Sequence, residues 1–89
     1  MHILILSRKA SIHSTRRLVE AGRGRGHEVT VVDPLDLSLV LTRGTPSLYL
    51  PDTETSRFDL VIPRIGSSIT SYGLAVVRQF DMMGIPVLN

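Results

Sequence analysis

The chain has 89 residues, 43% of them hydrophobic and 20% charged, with a formal net charge of +2. These values describe one small globular domain and exclude a disordered tail, and no apolar run approaches the ~18–20 residues of a membrane span. Nine of the ten basic residues are Arg, but acids are interspersed among them and only two Tyr, two Phe and no Trp accompany them, which argues against nucleic-acid binding.

Cysteine is absent, so disulfides and thiolate metal sites are excluded. Met1 leads directly into an apolar strand with no basic n-region or cleavage site, so a cytoplasmic protein is expected.

His2 to Ser7 is nearly all apolar and reads as a central parallel strand covered on both faces. The loop that follows, Arg8 to His13, has no glycine, whereas a dinucleotide fingerprint needs glycines there to let the backbone approach a pyrophosphate. Ser14, or Ser11 with an earlier start, is the expected cap of a helix running to about Arg25, with Thr15, Leu18, Val19 and Gly22 on one face. Gly22-Arg23-Gly24-Arg25-Gly26 lies at the C-terminal end of that helix, the wrong end for phosphate binding. Close packing, a Gly26 terminator and dipole-complementing Arg side chains account for it.

Glu28 to Val32 reads as the second strand, stopped by Asp33-Pro34. Asp33 stands where a ribose-binding acid would be, but without the glycine loop a turn or capping role is expected. Leu35 to Leu41 reads as a short helical turn or irregular cover. Arg43 to Ser56 reads as a mobile loop in which only Leu48-Tyr49-Leu50 forms a short edge strand or hairpin arm.

Phe58 to Ile62 is a β-branched apolar run ended by Pro63. Arg64 follows, and Gly66 with Ser67 or Ser68 starts a helix running to about Met83. Ile69, Gly73, Val76, Phe80 and Met83 form its apolar stripe. Gly84 ends it, and Ile85 to Leu88 reads as one more short strand. The alternation predicts an α/β fold: a small, open, mostly parallel sheet with helices on both faces, and the first strand between the second and the one ending at Pro63.

The histidines show no metal-ligand spacing and no serine sits in a nucleophile elbow, so no catalytic, cofactor or metal residue is assigned. The candidate substrate-binding residues are Ser7 and Arg8 after the first strand, and Arg64, Gly66, Ser67 and Ser68 after the strand at Leu60. They meet at the carboxyl ends of adjacent strands beside a helix N-terminus, where an anion is favoured. Arg64 is placed there by loop position and charge, its fork suiting a carboxylate or phosphate. A structural ion pair is the competing role for it.

The strings I-L-S-R, R-G-H and D-P-L, then F-D-L-V-I-P-R-I-G-S-S-I-T-S-Y-G and R-Q-F-D-M-M-G, closely resemble RimK-type ATP-dependent α-L-glutamate ligases of the ATP-grasp superfamily. The match covers essentially the whole chain, weakest from Thr42 to Ser56, as that family's N-terminal, pre-ATP-grasp domain. The resemblance implies a parent enzyme that uses ATP and magnesium to activate a carboxylate as an acyl phosphate, which the amino group of glutamate attacks. It also implies the C-terminus of a ribosomal protein as acceptor. The ATP-grasp domains of such an enzyme are then missing partners of residues 1–89, which alone should lack nucleotide contacts, metal ligands and turnover. Self-association through apolar area left by those partners, or through open sheet edges, is anticipated. A stand-alone α/β module holding a small anionic ligand, and a ligand-free interaction domain, are the alternatives.

Overall fold

In the computed structural model, which describes residues 1–9, 12–65 and 70–88, the first apolar run forms β1 (His2–Leu6) at the centre of a three-stranded parallel sheet. It is flanked by β2 (Glu28–Val32) and by a strand at Leu60–Pro63, as the alternation predicts. The two sides of β1 face different cores. Leu4 and Leu6 join Val61, Val76 and Phe80 in one cluster, whereas Ile3 and Ile5 join Val29 in another. Each fully buried side chain contributes on the order of 1.5–3 kcal/mol. A strand apolar on both faces fits only between two helical layers.

The first layer is α1 (His13–Gly24), which brings Thr15, Leu18 and Val19 against β1 and β2. Its N-cap is Ile12, with no side-chain cap, so Ser14 lies inside the helix and not at its cap; the Ser11 alternative lies outside the described residues. His13, expected in the preceding loop, is the first residue of α1. Gly22 packs so closely that a Cβ there would stand 2.7 Å from Val29 Cγ2. Gly26 has φ +84°, a conformation costly to other residues. The opposite layer is α2 (Thr70–Met82), whose Val76 and Phe80 are fully buried. The expected caps of α2, Ser67 and Ser68, lie outside the described residues.

Two expectations are corrected between β2 and the last sheet strand. Leu35 to Leu41 is neither helical nor irregular throughout: a 3-10 turn at Pro34–Asp36 leads into β3 (Ser38–Thr42). The stretch read as a loop with one short strand or hairpin arm at Leu48-Tyr49-Leu50 supplies its antiparallel partner, β4, which starts earlier and spans Thr45–Tyr49. Arg43 and Gly44, at φ 52° and 79°, close the hairpin in the two-residue turn that positive φ at both positions produces. Asp33 caps the 3-10 turn, its Oδ1 accepting the Leu35 N–H at 2.9 Å. The strand at Leu60–Pro63 is β5. Residues 85–88 meet it through an isolated parallel bridge, Val61 to Val87, and not through a full strand.

Helix α2 holds the hairpin through polar contacts. Gln79, 8% exposed, donates from Nε2 to both Val40 O at 2.9 Å and Ser47 O at 3.0 Å. Tyr72 donates its hydroxyl to Leu37 O.

Candidate functional site

The carboxyl ends of β2, β1 and β5 finish side by side. The Ser7 N–H donates to Val32 O at 3.0 Å, and the Arg64 N–H donates to Leu6 O at 2.7 Å. Strand order reverses here: α1 carries the chain from β1 to β2 on one side of the sheet, and β5 then lies on the other. Ligands of open α/β sheets sit at such a switch point.

Ser7 is 1% exposed. Its hydroxyl donates to Lys9 O at 3.2 Å and stands 3.1 Å from Thr15 Oγ1. The side chain thus ties the strand end to α1 and shapes the loop carrying Arg8 and Lys9, both exposed. Burial points Ser7 toward positioning this loop.

Arg64 is exposed, and no carboxylate of the described residues lies within ion-pair distance of it. The competing structural ion pair is therefore not formed among them. Its placement depends on the next residue: Ile65 packs against the core, and a Cβ on Gly73 would come within 2.8 Å of both Ile65 Cδ1 and Cγ2. Gly73 is the residue that lets Ile65 dock and so fixes the strand end bearing Arg64. Sequence reasoning placed Gly73 on the apolar stripe without giving it this task. The short residue between Tyr72 and Val76 was the available signal. Gly66, Ser67 and Ser68 lie outside the described residues.

The site thus gathers Arg8, Lys9 and Arg64 at one sheet end, a cationic margin suited to carboxylate or phosphate. Among the described residues no three His, Cys, Asp or Glu side chains are placed to hold a metal. The β1–α1 loop has no glycine to admit a phosphate chain. The charge of this margin suits an anion.

Comparison with known proteins matches residues 1–89 to the family described as the RimK PreATP-grasp domain. A probable alpha-L-glutamate ligase of Thioalkalivibrio sulfidiphilus is 54% identical over 89 residues, covering 100% of this chain and 30% of that protein. One from Alkalilimnicola ehrlichii is 55% identical with the same coverage. The chain thus spans about 30% of the length of the relatives it matches. The crystal structure of a RimK domain protein ATP-grasp from Sphaerobacter thermophilus superposes with a TM-score of 0.68 at 24% identity, over 100% of this chain and 30% of that one, a likeness of fold.

Proposed function

From the premise that this chain belongs to the RimK PreATP-grasp domain family, we propose that it is the N-terminal domain of an ATP-dependent carboxylate–amine ligase acting in the cytoplasm. The reaction joins glutamate through its amino group to a carboxylate activated at the expense of ATP. The acceptor is the C-terminus of a ribosomal protein. Nucleotide and magnesium are held by the ATP-grasp domains of the full-length protein.

This domain walls one side of the substrate cleft. Its contribution is charge: Arg64 stands exposed at the switch point with no carboxylate partner among the described residues. A guanidinium in that position binds a carboxylate of the acidic acceptor, or the acyl-phosphate region, through two parallel hydrogen bonds. Ser7 and Thr15 support it indirectly by shaping the loop of Arg8 and Lys9, and we assign substrate contacts to Gly66, Ser67 and Ser68 from their place in the sequence after Arg64. The observation that carries the reading is identity above one half to named alpha-L-glutamate ligases over all 89 residues.

The test is mass spectrometry of the acceptor after incubation with the full-length protein, ATP, magnesium and glutamate. Stepwise addition of glutamate to the C-terminus is expected. Addition of a different amino acid, or of nothing to any ribosomal protein, would overturn the assignment of substrates.

A further inference from the structure

Building on the ligase reading, we propose that Asp33 receives the ammonium group of the free amino acid that enters the cleft, across β1 from the anion held by Arg64.

Register brings Asp33 to the site. Leu6 pairs with Val32 on one side and with Pro63 on the other, so the next residues, Asp33, Ser7 and Arg64, end the three strands in a single row. The Ser7 and Arg64 N–H groups, bonded to Val32 O and Leu6 O, carry the ladder up to that row. Neighbouring strands lie about 4.8 Å apart, so the Asp33 and Arg64 backbones stand about 9–10 Å from each other. An acid and a base thus occupy the two sides of the switch point, with Ser7 between them.

Asp33 keeps carboxylate capacity to spare. Its backbone is extended, at φ −70° and ψ 124°, and its Oδ1 takes the Leu35 N–H at 2.9 Å. That is one bond to a group that can accept about four. The residue is half-buried, and among the described residues no cation lies within ion-pair distance of it. Capping does not require the charge, since Asn and Ser cap a turn as well as Asp does.

The chemistry of the cleft supplies the occupant. An amino acid at neutral pH carries an ammonium group, which Lys9 and Arg64 repel. Its amine must nonetheless come within about 3–3.5 Å of the activated carboxylate it attacks. A carboxylate in the same row receives that ammonium through charge-assisted hydrogen bonds, while Lys9 suits the carboxylates that arrive with it. The competing occupant is a Lys or Arg from the remainder of the full-length protein. Location at the switch point, where ligands of open α/β sheets bind, favours the small molecule.

The test is D33N in the full-length protein, because Asn keeps an Oδ1 for the Leu35 N–H and removes the charge. Expected are the parent's melting temperature, an unaltered KM for ATP, and a KM for glutamate raised about 10–100-fold, as for a lost charged hydrogen bond. Glutarate is glutamate without the ammonium. In calorimetric titration the parent should bind glutamate at least about tenfold more tightly than glutarate, and D33N should bind the two alike. D36N removes the same charge at an exposed position three residues on and should keep the parent's preference. Ligation of glutamate by the parent, with KM and preference unchanged in D33N, overturns this assignment and leaves the ligase reading standing. A preference for glutamate that D33N abolishes, in a parent that ligates nothing, overturns the ligase reading and keeps Asp33 as an ammonium site. Equal losses in D33N and D36N would reveal a diffuse field in place of a contact. A lowered melting temperature in D33N with unchanged KM would reveal a cation of the same chain seated on Asp33. Either of these last two results also overturns the proposal.

Discussion

Ile65 lies over Gly73 with no room for a methyl group between them: a Cβ at residue 73 would stand 2.8 Å from two Ile65 carbons. Gly73→Ala should therefore displace Ile65 and cost about 1–3 kcal/mol, the usual scale of overpacking. The shift also moves the adjacent Arg64, so substrate KM should rise together with the fall in stability. Urea unfolding and steady-state kinetics on one variant check both. Because Ala gains about 0.5–1 kcal/mol over Gly inside a helix, an Ala variant more stable than the parent by that amount would show that the contact yields without cost.

Arg64→Ala in the full-length protein should lower kcat/KM for the proposed ligation by about 10–1000-fold, the loss of ~1.4–4 kcal/mol of charged hydrogen bonding. Arg64→Lys should recover only part, since an ammonium cannot reproduce the planar fork. Stability should change by no more than about 0.5 kcal/mol, as for an exposed residue outside any packing contact. A substantially destabilised protein with full specific activity in its folded fraction would remove Arg64 from the site.

Gln79 reaches from α2 to a carbonyl on each strand of the hairpin. Gln79→Leu keeps the bulk and removes both bonds, which should cost about 1–3 kcal/mol. The loss should be local. Hydrogen exchange at the β3 and β4 amides should accelerate while β1 stays protected, because the hairpin is a sheet of its own. Uniform acceleration across all strands would argue that hairpin and sheet open together.

Residues 1–89 expressed alone should neither hydrolyse ATP nor ligate glutamate, since the described residues supply no metal-binding cluster and the β1–α1 loop no phosphate cradle. The measurement is magnesium-dependent phosphate release, compared with a mock purification. Turnover that copurifies with the folded domain would contradict this.

The parallel sheet was legible because its strands are short apolar runs separated by helical spacing, and β1, apolar throughout, had to be central. The role of Asp33 was legible from the Pro that follows it. Of the hairpin only an arm at Leu48-Tyr49 was legible. Ser38-Leu39-Val40-Leu41-Thr42 is leucine-rich enough to read as a helical turn, and Arg43-Gly44 lacks the Asn or Asp that usually announces such a hairpin. The α1 cap was missed for a related reason: Ile12 takes the capping position by backbone geometry alone, leaving no side-chain signature. At the site, Arg64 stood out by charge. The burial of Ser7, by contrast, depends on Thr15 eight residues away, a pairing made only when the helix folds back.

Polarity cannot tell one face of β1 from the other, because Ile3 and Ile5 are as apolar as Leu4 and Leu6. A slip of one residue would simply exchange the two sets between cores. What fixes the register is polar and sits at the two ends. His2 exchanges bonds with Asp59, giving its N–H to Oδ2 and accepting the Asp59 N–H, both at 2.8 Å; Ser7 meets Thr15 at the other end. The middle of the strand is thus a freely spelled word between two fixed punctuation marks. Libraries that shuffle Val, Ile and Leu over residues 3–6 should yield folded proteins in quantity, whereas replacing Asp59, whose carboxylate holds the His2 N–H, together with the Ser7–Thr15 pair by apolar residues should yield chains that fold into more than one alignment.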